Sequence, residues 1–162
     1  MSRSSLAARP LPALSENTRL RYATFILLYL AQGVPEGVVG AAIPAWLAMQ
    51  GRTPAEIAAY AAVISLPASF KIGFAPLVER FTYLPMGRRR PWLLAGQVGL
   101  TLSFAGLAFV PDPLHHLPLL AAGGFAVVAF SMLQDVATDS LAIDVIPPAE
   151  QGQANSLMWG AK

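Results

Sequence analysis

Apolar residues fall in this chain in long continuous runs, not in the period-two alternation of a membrane barrel. The first run covers residues 22–50 and is interrupted by Gln32, Pro35, Glu36 and Pro44. After the turn GRTP at 51–54, a second run extends over about 55–79, interrupted by Pro67, Lys71 and Pro76. A basic loop, RFTYLPMGRRRP, separates it from a third run at 92–110 that carries no charge. The loop PDPLHHLP leads to a fourth, about 118–146, with Gln134, Asp135, Asp139 and Asp144 in its second half. Pro147 and Pro148 end it, and a helix restarts over 150–162. At about 1.5 Å per residue each run is long enough, or nearly so, to cross an apolar layer of about 30 Å. Backbone in lipid must satisfy its own hydrogen bonds, so the expected fold is an all-α integral membrane protein. It would have four complete transmembrane helices and the start of a fifth.

Composition strengthens that reading. Of the 162 residues, 55% are hydrophobic and 12% charged, and the mean hydropathy is +0.53. This is too little polar surface to cover a soluble core. The chain contains no Cys, which excludes disulfides, thiolate chemistry and Cys-ligated metal. Residues 1–21 are polar and basic and read as a cytoplasmic leader, since no short apolar core with a small-residue cleavage site follows. The net charge of +2 points to orientation in a membrane and not to nucleic acid. Arg3, Arg9, Arg19 and Arg21 lie in the leader, and Arg80, Arg88, Arg89 and Arg90 in the loop after the second run. The loop after the first run has only Arg52, and the loop after the third has none. The positive-inside rule then places the N-terminus in the cytoplasm of a multi-pass inner-membrane protein.

Ionisable groups within apolar runs are costly and mark candidate sites. Glu36 and Gln32 are four residues apart on one helical face, with Pro35 loosening the backbone between them. Glu36 is open to a transport role or to a structural one as a cap. Gly33 and Gly37 form a GxxxG pair suited to close helix packing. Lys71 lies roughly 12 Å from the inner end of the second run, by helical rise. It can meet a buried partner there or snorkel to the interface. Asp135 and Asp139 share a face of the fourth run, roughly 15 Å and 9 Å from its inner end. Lys71 falls between those depths, which suggests a compensating cluster, with Gln134 beside it as an uncharged hydrogen-bonder. Asp144 reads as a helix-end residue. The third run, with Gln97, Thr101 and Ser103 as its polar residues, reads as peripheral and lipid-facing. His115 and His116 are too few for a zinc site and read as surface residues. No nucleotide-loop, serine-hydrolase or zinc-protease pattern occurs, so an enzyme is not expected.

Several motifs together resemble the Major Facilitator Superfamily, and within it the branch of AmpG-type muropeptide permeases and acetyl-coenzyme A transporters. The loop after the second run carries Glu79-Arg80 and then Gly87-Arg88-Arg89-Arg90, similar to the superfamily signature. Glu79 stands where Asp is usual, and six residues separate Arg80 from Gly87 where the common signature is tighter. The wider form, with Lys71, Pro76, Leu77, Glu79 and Arg80 before GRRRPW, resembles the branch. So do AQGVPEG at 31–37 and Gln134-Asp135 with Asp139. So does the Glu150-Gln151-Gly152 turn, where Gln151 takes a place often held by Arg.

The resemblance implies the first four helices, and the start of a fifth, of a six-helix half in a protein of two such halves. Spans one and four would line its cavity and span three would lie outside. It implies a secondary-active transporter that moves a small solute by alternating access, coupled to protons, with no other cofactor. Glu36, Asp135 and Asp139 would be candidates for protonation. Gln32, Lys71 and Gln134 would contact solute or balance charge. Glu79, Arg80, Gly87, Arg88, Arg89 and Arg90 would form a cytoplasmic gating latch, or anchor on anionic lipid. The expected partners are the bilayer, the solute and the remaining spans of the transporter. The alternative is a truncated, non-transporting membrane protein or interaction module.

Overall fold

The computed structural model describes residues 14–81 and 89–162, and its regular structure is helical throughout these residues. Helix α1 (Thr18–Gly37) starts four residues before the first apolar run, because the Asn17 side chain accepts from the Leu20 amide at 3.0 Å. Arg19 and Arg21 are thereby on the helix. Pro35 lies inside α1, and a π-helical turn, Val38–Ala42, follows it before α2 (Ile43–Met49). A proline removes one amide donor, and a widened turn is one way a helix absorbs the misfit. The three pieces are stacked as one continuous 32-residue helix.

Gly51, at φ +76°, makes the sharp turn into the next helix. Thr53 and Glu56 cap α3 (Pro54–Ser69) reciprocally, and Pro54 occupies its first turn. The second apolar run is not one helix. It breaks at Phe70, three residues after Pro67, and resumes as α4 (Lys71–Arg80), which contains Pro76. The tightened bonds from the Phe70 amide to the Pro67 carbonyl (3.1 Å) and from the Gly73 amide to the Phe70 carbonyl (2.8 Å) show the change of winding. Helices α5 (Arg90–Leu107), α6 (Leu117–Val145) and α7 (Gln151–Ala161) complete the chain.

Helix α6 is the axis of the bundle, with α1, α3, α4 and α5 packed around it and α7 against α1. Its N-terminal half joins an apolar cluster with Val39, Leu47, Tyr60, Ile64 and Leu100. Near its C-terminal end, Ala142 and Ile146 join a second cluster with Phe25, Tyr29, Ala154 and Met158. Leu133 and Val136 meet Val78 in a third. Helix α5 approaches α6 through Gly96, where an added Cβ would lie 3.0 Å from the Gln134 backbone, and through Gly99, which faces the Phe130 ring. Its far side, with Leu94, Val98 and Leu102, is exposed, so α5 is at the edge of the bundle. Leu27, Leu30, Val34, Leu66 and Phe70 are also large, apolar and exposed. Contiguous apolar surface of this kind belongs against lipid or protein. Two helices, Thr18–Met49 and Leu117–Val145, are long and apolar enough to cross a membrane.

Candidate functional site

A polar layer interrupts the core where α1, α4, α6 and α7 meet. Its centre is Asp135, with 2% of its side chain exposed. The Lys71 ammonium, at the first position of α4, donates to one Asp135 oxygen and lies 4.0 Å from the Asp139 carboxylate. The break at Phe70 matters here, because it puts Lys71 at a helix start that leans onto α6. The other Asp135 oxygen accepts from the Gln32 amide at 3.2 Å and lies 3.5 Å from the Lys162 ammonium. Gln32 also donates to the Ser131 carbonyl at 2.9 Å and is almost wholly buried.

Glu36, one turn along α1, accepts the Ser131 hydroxyl and forms an ion pair with Lys162 at 3.1 Å. Asp139 accepts the Tyr29 hydroxyl and keeps 42% of its side chain exposed. The layer thus gathers three carboxylates and two ammonium groups, leaving one negative charge when all are ionised. Such a set fits exchange of one monovalent cation, a proton included, against a fixed background.

Of the candidates read from the sequence, Gln32, Glu36, Lys71, Asp135 and Asp139 converge on this layer. Gln134 is buried beside it, with its amide 3.5 Å from the Leu28 carbonyl. Its side-chain oxygen and the Thr138 hydroxyl are buried and meet no hydrogen-bond partner among the described residues. The GxxxG pair divides: at Gly33 a side chain would collide with the Lys162 carbonyl, whereas Gly37 faces open space. Tyr29, Ser131 and Lys162 complete the layer and carried no signal of their own in the sequence. Tyr29 and Lys162 are ordinary residues until their partners, Asp139 for the one and Glu36 and Asp135 for the other, are known. Ser131 differs only in lying four residues before Asp135, on the same face. Among the described residues, no group of three or more His, Asp or Glu has the spacing to hold a metal ion.

The basic positions of the expected latch are only partly within the described residues. Arg89 pairs with Asp144 at 3.2 Å, so Asp144 is an ion-pair partner as well as a helix-end residue. Arg80 is exposed at the end of α4, and Arg90 is exposed at the start of α5. The backbone of Glu79 lies in α4, and Gly87 and Arg88 fall outside the described residues. A second pair was not foreseen. Arg21, 3% exposed, donates to Glu150 at 2.7 Å and to the Leu14 and Ser15 carbonyls, tying the start of α1 to the corner between α6 and α7.

A helical bundle with two long apolar helices and a nearly balanced charge layer centred on a buried Asp135 fits a membrane protein. The comparisons with known proteins are specific: residues 21–117 match the model of the acetyl-coenzyme A transporter 1 family, and the chain belongs to that family. It is 30% identical over 132 residues to the anhydromuropeptide permease of Escherichia coli K12, covering 82% of this chain and 26% of that protein. Proteins of Haemophilus influenzae (30% over 125 residues, 77% of this chain and 29% of the relative) and Schizosaccharomyces pombe (27% over 136 residues, 81% and 26%) are also similar. The chain therefore spans about a quarter of the length of these relatives. No solved structure matches it. The named relatives are a transporter and a permease, not enzymes.

Proposed function

We propose that this chain is part of a secondary-active transporter of the Major Facilitator type, carrying a small solute across the inner membrane by alternating access. In this reading α1 to α2, α3 to α4, α5 and α6 are four spans, and α7 begins a fifth. The leader and residues 80–91 lie in the cytoplasm, as their arginines favour. The observation that carries the reading is the charge layer in the middle of an apolar bundle. A purely structural core would not retain three carboxylates and two lysines where hydrophobic side chains would serve as well.

Within the layer the carboxylates divide the work. Asp135 is held by Lys71 and Gln32 and is a fixed counter-charge. Asp139 is partly open and lies farther from Lys71, and it is the carboxylate that exchanges a proton. Glu36, at the loosened part of α1, couples that exchange to movement of the helix. The solute is polar or amphiphilic, as the named relatives suggest.

The test uses cells expressing the protein from its native locus, offered anhydromuropeptide or acetyl-coenzyme A. Uptake or release that collapses with a protonophore, and is lost in Asp139→Asn, supports the proposal. Movement of solute indifferent to the protonophore sinks the proton coupling. Topology is checked separately, since the chain has no native Cys. Single cysteines at positions 52 and 115 should react with an impermeant thiol reagent on intact cells, and one at 89 should not. The reverse pattern overturns the orientation.

A further inference from the structure

The Lys162 ammonium occupies a seat built for a cation. Glu36 lies 3.1 Å from it and Asp135 3.5 Å. The Trp159 ring centre is 5.5 Å away and the Tyr29 ring centre 6.0 Å, the two rings meeting edge to face at 68°. Carboxylates and aromatic faces at these distances are how proteins hold ammonium groups. The seat adjoins an open cavity of about 340 Å³ between α6 and α7, whose walls include Asp139, Ile143, Gln151, Asn155, Met158 and Trp159. Trp159 is a wall of both seat and cavity, and Tyr29 joins them by its hydroxyl on Asp139. A volume near 300 Å³ suits a small organic molecule. The charge layer is one positive charge short of neutrality.

We infer that this cavity binds solutes bearing a primary ammonium group. The head enters past Asp139 and the Trp159 face and takes the Glu36–Asp135 seat, from which it displaces Lys162, the tethered cation. The flexible four-carbon stem of Lys162 lets its ammonium swing out without moving α7. The apolar wall of Ile143 and Met158 takes the solute's aliphatic part, and Gln151 and Asn155 take its polar groups. This names a solute class for the transport reading and rests on it for its purpose, but its test does not require transport.

The test follows thermal unfolding of the purified chain in detergent by tryptophan fluorescence. The probe is n-butylammonium chloride, with n-butanol and matched sodium chloride as controls. Butylammonium should give a saturable rise in Tm that neither control gives, and Asp139→Asn should abolish it. Lys162→Met, which empties the seat of its resident cation, should bind butylammonium about tenfold more tightly than the unmodified chain. Equal protection by butanol would reduce the site to an apolar cavity and overturn the inference, as would no protection or full protection in Asp139→Asn. Should the variants not fold, butylammonium against butanol on the unmodified chain decides alone. Amine protection without proton-driven uptake sinks the transport reading and keeps the seat. Uptake without amine protection does the opposite.

Discussion

The two halves of α6 are held in the bundle by opposite means. Its N-terminal half is closed by fit: Gly124 lets Ile64, Tyr60 and Val39 approach so nearly that an added Cβ would come within 2.8 Å of Ile64. The contacts there are apolar, with the Tyr60 hydroxyl satisfied by the Val39 carbonyl at 3.0 Å. Its C-terminal half is held by charge, with Lys71 and Gln32 on Asp135 and Tyr29 on Asp139. Close apolar packing has one good arrangement and resists displacement. Ion pairs at the edge of a cavity can trade partners at small cost as long as the total charge is preserved. One half of the helix therefore suits a fulcrum and the other a site, and the two should respond differently to substitution.

The largest effect is expected at Lys71. Removing it leaves Asp135 buried without its main counter-charge, a situation that costs about 3–5 kcal/mol. Lys71→Ala should sharply lower the yield of folded protein, and Lys71→Ala with Asp135→Asn should recover much of it, because the most deeply buried carboxylate is neutralised along with its lost partner. Lys71→Ala with Asp139→Asn should not recover it, since Asp139 is the more distant partner. Folded yield, read by size-exclusion chromatography in detergent, decides this. A silent Lys71→Ala would mean the lysine reaches the interface instead, and the contrast between the halves of α6 would fail.

Gly124→Val addresses the other half. The new branches would press on Ile64, Tyr60 and Val39 from three sides, and overpacking of this kind costs about 1–3 kcal/mol. We expect the upper end, since the neighbours are on two different helices and cannot yield together. No charge substitution elsewhere should rescue it, in contrast to Lys71→Ala. Rescue should come only from making room, as in Gly124→Val with Ile64→Ala. The readout is unfolding temperature in detergent.

Arg21→Gln probes whether the charged half extends to the end of the bundle. Its guanidinium is buried against Glu150 and two carbonyls, and hydrogen bonds to charged groups contribute about 1.5–3 kcal/mol. Because Glu150 is 34% exposed it can be rehydrated, so the loss should stay near the lower bound and be mimicked by Glu150→Gln. A double variant no worse than either single one, in unfolding temperature, would establish that the two residues are coupled through this pair.

The apolar runs made the helical class legible, because without the period-two alternation of a barrel a helix is what satisfies its backbone in lipid. Asp135 and Asp139 were legible as a pair through their spacing of four, and Lys71 as their neighbour through depth. The break at Phe70 was not, although Pro67 and Pro76 were visible. A proline marks where a helix is weak, but tertiary packing decides where it gives way. The Arg21–Glu150 pair was hidden for another reason. Arg21 belongs to an arginine set that positive-inside bias explains without any partner. Lys162 and Tyr29 required the fold itself, since their contacts are set by how α7 returns to α1.

The smallest effect is expected at Tyr60, and it tests the contrast most finely. Its hydroxyl donates to the carbonyl of Val39, within the π-helical turn where the regular hydrogen-bond ladder of α1 is disturbed. Tyr60→Phe keeps the ring in the apolar cluster and removes only that donor. The loss should be about 1 kcal/mol, the usual net value of one neutral hydrogen bond. It should appear as a slightly lower unfolding temperature and nothing else, because the N-terminal half of α6 contributes fit and not chemistry. Tyr29→Phe makes the same change in the C-terminal half, where the acceptor is the Asp139 carboxylate. There the effect should fall on butylammonium protection, weakening it, beside a larger drop in unfolding temperature than in Tyr60→Phe, because a hydrogen bond to a charged group contributes more. If Tyr60→Phe weakens amine protection as much as Tyr29→Phe does, the π-helical turn communicates with the cavity. The two halves of α6 would then work as a single element.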